Sequence, residues 1–305
     1  MSTLHTRAAS LALIATAIFS LLGGTAAQGQ TNLSYKFKKG DKLNYTVATE
    51  IKGTASVGGM DIKTTQDQTM ELIWTVKDVE GGKADMVQKI NQFRQKMDMP
   101  GGQGFEFDSK TGKKPDGQIG KLVGPLFDAM VGAEISMKMD TQGETTDMKL
   151  SEKLMEAIKG NPALAAMGSA FSEEGMKNMM QQSSLVLPKE AIAKGKSWNK
   201  KVEVKMPFGV MKLDTTFTYA GPETRNNAML EKIDTKSALT IEPVPGAGLA
   251  IKIKSSDVKG AIYFDNKAGR IVEFSQTQKM VMEISAGGQT FESSQDQTVS
   301  MKLVP

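Results

Sequence analysis

The stretch TTQDQTMEL, Thr64 to Leu72, returns near the other end of the chain as SSQDQTVSM, Ser293 to Met301. Around the first copy, Met60, Ile62, Thr64, Gln66, Gln68, Met70, Leu72 and Trp74 alternate with Asp61, Lys63, Thr65, Asp67, Thr69, Glu71 and Ile73. Around the second, Phe291, Val299, Met301 and Leu303 oppose Thr290, Glu292, Asp296, Thr298 and Lys302. A period of two marks a strand with one face toward water, and both copies put the Asp of QDQ on the wetter face. Each follows a Gly-Gly pair, Gly58-Gly59 or Gly287-Gly288, which suits a tight hairpin. The preceding strands correspond at the same offset, with Gly40 against Gly269, Tyr45 against Phe274 and Ile51 against Met280. Residues 37–76 thus resemble residues 266–305 as one ungapped hairpin unit used twice.

Two further hairpins read the same way. AEISMKMDTQGETTDMKL turns at Gln142-Gly143, and KVEVKMPFGVMKLDTTFTY turns at Phe208-Gly209, with Pro207 indicating an edge or a bulge. Helices interrupt the strands over residues 118–183. GKLVGPLFDAMVG places Leu122, Val123, Leu126, Phe127 and Met130 on one face. SEKLMEAIKG opens at a capping Ser151, buries Leu154, Ala157 and Ile158 and stops at Gly160. Asn161-Pro162 starts a short Ala-rich helix, and Ser172 with Glu173 and Glu174 starts another. The expected fold is mainly β with a central helical insert: two related antiparallel meander halves forming a large curved sheet or half-barrels, with helices over the concave face. A simple sandwich is the alternative.

The N-terminus sets the compartment. Residues 1–7 carry His5 and Arg7, an uncharged apolar run spans Ala8 to Leu22, and Thr25 and Ala27 stand at signal-peptidase spacing. That order predicts a signal peptide over residues 1–27 and one exported domain over residues 28–305, periplasmic or extracellular. The apolar run is shorter than the roughly 20 residues of a spanning helix. The chain has no Cys, and its single His, His5, lies inside the predicted signal peptide. A mature chain without either residue type lacks the parts of a Ser-His-Asp triad, a thiolate-imidazole pair or an ordinary zinc site. Proton transfer would fall to carboxylate, Lys or Tyr. The formal net charge of +4 comes from 38 basic and 34 acidic residues with no basic block, so nucleic acid is not an expected partner. No cofactor is expected.

Three landmarks stand in order along the mature chain: LSYKFKKGDKLNYTV from Leu33, LPKEAIAKGKSWNKKVEV from Leu187 and GAIYFDNKAGRIVEF from Gly260. They resemble the landmarks of a secreted bacterial family, domain-of-unknown-function family 6263. The resemblance covers nearly the whole mature chain and implies no activity and no functional residues. The inferred plan is also similar to bacterial envelope proteins that carry lipids or lipoproteins in a curved sheet plugged by helices.

Methionine is the compositional anomaly, 21 in 305 residues. Several stand two apart in strands, Met137 with Met139 and Met280 with Met282, and Met176, Met179 and Met180 sit together on a helix. Met is flexible and polarisable. These residues read as an ordinary core, as an adaptable apolar cavity between strand pairs and helix, or as a thioether site for Cu(I). The turns FDSKTGK and FDNKAGR, from Phe107 and Phe264, read as capped turns, or as calcium loops that are poor in carboxylates. Asp67 and Asp296 are the one candidate pair for carboxylate hydrolysis, and Gln66, Gln68, Gln295 and Gln297 interrupt an otherwise apolar face where a cavity rim would lie. The leading expectation is a non-enzymatic secreted binding protein holding a lipid or other apolar small molecule. A structural or protein-interaction module of the cell envelope is second, and a carboxylate hydrolase is third.

Overall fold

The computed structural model describes residues 29–102, 104–161, 172–244 and 246–305. The expected signal peptide and the short Ala-rich helix after Asn161 lie outside the described residues. In chain order the elements are β1 (Lys42–Val57), β2 (Met60–Glu80), β3 (Lys83–Asp98), β4 (Phe105–Asp108), α1 (Gly117–Met130), β5 (Glu134–Met139), β6 (Thr145–Leu150), α2 (Glu152–Lys159), α3 (Glu173–Ser183), β7 (Ser197–Met206), β8 (Gly209–Arg225), β9 (Ala228–Pro243), β10 (Leu249–Asp265), β11 (Arg270–Ala286) and β12 (Gln289–Val304). The strands form one antiparallel sheet of 12, in the order β6-β5-β3-β2-β1-β12-β11-β10-β9-β8-β7, with β4 on the flank of β3. The protein is mainly β, in a single curved and unclosed sheet, which excludes the sandwich.

Local sequence explains the long hairpins. Gly58 and Gly59 carry φ of 59° and 80°, and Gly287 and Gly288 carry 58° and 78°, the two successive positive values that a twist-matched two-residue turn requires. From these tips the pairing runs to Tyr45↔Leu72 and Val47↔Met70 in one hairpin, and to Phe274↔Met301 and Gln276↔Val299 in the other. The β7–β8 turn falls one residue earlier than expected. Met206 pairs with Gly209, so Pro207 and Phe208 make the turn. Gly209 serves packing instead: a Cβ there would sit 2.6 Å from the Glu242 carbonyl oxygen. Strand β7 is a sheet edge, where Pro at its end costs no ladder bond.

Curvature brings the two ends of the sheet together. Met137 and Met148, from β5 and β6, share a buried cluster with Phe217, Ile233 and Ile262 from β8, β9 and β10. The edges β6 and β7 do not pair with each other, and α3 touches both across the gap. The segment after α3 completes the seam. The Leu187 N–H donates to the Gln142 carbonyl at 2.7 Å, and the Trp198 indole N–H donates to the Val186 carbonyl at 2.8 Å. One end of the curved sheet is closed by the segment before β1. There Thr31 and Ile192 exchange backbone bonds, and the N–H groups of Tyr35 and Lys36 donate to Thr141 and Gly269. Leu33 and Tyr35 are thereby buried. The opposite end carries the Gly-Gly tips.

Helix α1 covers the inner face of β3 and β4. Phe127 stands among Phe93, Phe105 and Phe107, with ring centroids 5.1 to 5.9 Å apart. Leu122, expected on the covered face, is exposed. The covered stripe runs through Gly120, Gly124 and Phe127, and Leu122 is two positions from each glycine, on the far side of the helix. In α2, Met155 is buried beside Leu154 and Ile158 in place of Ala157, and Ser151 holds the N-cap position without a cap hydrogen bond. In α3, the Gly175 N–H donates to the Ser172 hydroxyl oxygen at 3.0 Å, which caps the helix. No helix among the described residues is long and apolar enough to cross a membrane.

Candidate ligand cavity

Strand register decides what the inner face presents. Paired positions run in one rung from β2 to β7: Gln66, Ile51, Gln297, Gln278, Val258, Ser237, Thr215, Lys200. On the closed side of this rung, Phe274, Ile262 and Ile233 form an apolar floor. On the side of the hairpin tips, Leu213 pairs with Leu239 and Met280 pairs with Gln295. The polar rung therefore lies between two apolar zones.

Helix α1 fills the inner face on the N-terminal side, but among the described residues nothing comparable covers β8 to β11. A cavity of about 790 Å³ remains there. Its walls are Met137, Met139 and Met148 on one side of the seam and Val202, Leu213, Leu239 and Val258 on the other, with Met280 and Phe274 between. Polar groups enter at Gln88, Gln276, Gln278, Gln295, Thr215 and Ser237, and at Thr145, Ser184 and Lys200 along the seam. The Thr215 and Ser237 hydroxyls bond to each other at 2.8 Å. Two lining groups, the Trp74 indole N–H and the Thr145 hydroxyl, are buried with no hydrogen-bond partner among the described residues.

Lys200 is the one charged side chain on this lining among the described residues. Its ammonium donates to the Ser184 carbonyl at 2.5 Å and to the Ser184 hydroxyl at 3.3 Å. Loss of solvent pulls its pKa below the usual lysine value, and the Glu144 carboxylate opposes that shift. Tyr35, on the floor, has its phenol pushed well above the ordinary value by burial.

The methionines singled out by composition separate by position. Met137, Met139, Met180 and Met280 line the cavity, and Met176 packs against the adjoining core. Met282 lies one inward-facing position nearer the hairpin tip, half-buried and off the lining. The side chain of Met179 lies outside the described residues. Of the four glutamines expected at a rim, Gln295 reaches the lining. Asp67 and Asp296 are exposed on the outer face, where they flank β1 opposite Glu50 and Lys52. The turn carboxylates cap their own turns: Asp108 accepts from the Lys110 and Thr111 N–H groups, and Asp265 accepts from Ala268. Lys200, Trp74, Thr145 and the β8–β10 wall escaped the sequence reading. The available signal was Lys200 itself, which shares strand parity with Trp198, Val202 and Val204.

Residues 81–271 match the model of a family described as a family of unknown function, DUF6263. No curated protein matches the chain. Among solved structures, lipovitellin, from work titled lipid-protein interactions in lipovitellin, is similar over 88% of this chain and 26% of its own, at 11% identity and a TM-score of 0.46. The chain thus spans about a quarter of that protein's length. An outer membrane channel from Pseudomonas putida F1 is similar over 88% of this chain and 97% of its own, at 7% identity and a TM-score of 0.22. The translocator domain of the autotransporter NalP from Neisseria meningitidis covers 87% and 89%, at 7% identity and a TM-score of 0.19.

Proposed function

The chain belongs to this family of unknown function, and we propose that it is a non-enzymatic binding protein that holds a lipid or another apolar small molecule between the curved sheet and its helices. The cavity on the inner face carries the proposal. Its volume of about 790 Å³ falls in the range of about 300 to 1,000 Å³ typical of small-molecule sites. Its lining is mainly aliphatic, thioether and aromatic, crossed by a band of polar groups. Met137, Met139, Met180 and Met280 supply adaptable surface, which suits a ligand with a flexible chain. Read as a signal peptide, residues 1–27 would put this activity in the periplasm or outside the cell. The hairpins 37–76 and 266–305 are two copies of one unit, a reading supported by their matching registers.

Native mass spectrometry with organic extraction, on protein purified from its own exported compartment, tests the proposal. The expected result is an apolar molecule near one per chain, lost when Leu239→Trp fills the cavity. A clean apo mass in the unsubstituted protein would overturn it. The second reading, an interaction module of the cell envelope, is favoured by Met60 and Ile62, which are 71% and 42% exposed near the β1–β2 tip. A stoichiometric protein partner lost on Met60→Lys would support that reading.

A further inference from the structure

The charge pattern of the cavity narrows the ligand class, on the premise that the cavity is a ligand site. We propose that the ligand is an anionic amphiphile with one long apolar chain, its carboxylate or phosphate head held by Lys200 at the seam and its chain laid along the β8–β10 wall.

Four observations converge. Among the described residues the lining contains one ammonium and no carboxylate. Glu144, the acid whose field reaches Lys200, sits in the β5–β6 turn and does not line the cavity. A cationic ligand would therefore meet repulsion with no compensating acid, whereas an anionic head would gain a charge-assisted bond in a site partly removed from water. Second, Lys200 on β7 has polar company at the seam, where its acceptor Ser184 and Thr145 of β6 also line the cavity. Third, the buried Thr145 hydroxyl at the seam has no partner among the described residues, although it lines the cavity. A buried donor left unmade is costly, and an oxyanion accepts from several donors at once. Fourth, beyond the rung of Ser237 and Thr215 the wall is Val202, Leu213 and Leu239, which offers a chain nothing to hydrogen-bond. The ammonium and the aliphatic wall thus stand apart on the lining, as head and chain do in an amphiphile. The volume matches a ligand of drug size, which favours one chain over several.

Displacement of the neutral fluorophore N-phenylnaphthylamine from the delipidated mature protein tests this directly. The competitors are hexadecanoate, hexadecyl phosphate, hexadecanol and inorganic phosphate. Hexadecanoate or hexadecyl phosphate is expected to compete about ten- to a hundredfold more tightly than hexadecanol, the advantage of a hydrogen bond to a charged group. Lys200→Gln should remove that advantage, and Lys200→Arg should restore most of it. Whichever anion is preferred identifies the head group. Equal competition by all three chains, with no effect of Lys200→Gln, would overturn the anionic assignment while leaving an apolar carrier standing. Competition by inorganic phosphate as strong as that of hexadecyl phosphate would also overturn it, because the chain would then contribute nothing. Failure of the fluorophore and every chain to bind would remove the carrier reading itself.

Discussion

Arg225 shows how single side chains fasten the outer face near the closed end. Its Nε and Nη2 donate to the two Glu273 oxygens at 2.9 and 2.8 Å, and its guanidinium lies 4.2 Å from the centre of the Tyr263 ring. Glu273 is buried, and its carboxyl is held below the usual range, chiefly by these hydrogen bonds. Arg225→Met leaves that carboxylate unpaired, with an expected loss of about 1.5 to 3 kcal/mol in urea unfolding. Solvent reaches 38% of the arginine side chain, which pulls the loss toward the lower figure. Arg225→Lys should recover only part, since an ammonium does not reproduce the two-pronged fit. The sign with pH follows from the depressed carboxyl. The pair's contribution is complete above the ordinary glutamate value of about 4.3 and is lost as pH falls through the lower folded value. The stability gap between the natural protein and Arg225→Met should therefore narrow in acid, and a gap that widened there would contradict this account. Nothing in the sequence announced the pair, because its partners meet only when β8 to β11 are laid side by side.

Strands and turns were largely legible, because their causes are local. Alternation fixed the faces of β2 and β12, and the Gly-Gly pairs fixed their turns. The errors also have local causes. Gly209 was read as a turn glycine, but its missing side chain admits the Glu242 carbonyl, a neighbour that belongs to β9. Leu122 was placed inside because apolar character was followed in preference to the buried glycine stripe, where Gly120 and Gly124 pack on Pro115. The segment joining α3 to β7 was invisible as an element, since it has no periodicity and is held by Gln142 and Trp198. Leu187, 2% exposed there, makes it testable. Leu187→Ala should cost about 2 to 5 kcal/mol and speed hydrogen exchange across residues 173–190 more than in β11. Uniform acceleration would mean that the seam does not open as a unit.

At the scale of the whole molecule the cavity was the hardest feature to foresee. Methionine content pointed toward one, but Leu213, Leu239 and Lys200 became its walls only because the sheet bends β7–β10 toward β5 and β6, and curvature leaves no mark on a strand's alternation. The strand order was equally hidden, since β1 pairs with β12 across nearly the full chain. That order makes a prediction. Removal of residues 289–305 deletes an interior strand and exposes the facing edges of β1 and β11. The truncated chain is expected to lose its cooperative thermal transition by circular dichroism; a retained transition would show that the two flanks fold independently. Contacts of such long sequence separation also predict slow refolding.

The central place of β12 bears on how the protein is made. A ribosome releases β1 well before β12, the strand that completes its second edge. Until then β1 presents a long row of unanswered backbone groups, a template for pairing with the wrong chain. Pairing of β1 on both edges therefore waits until β12 has been made.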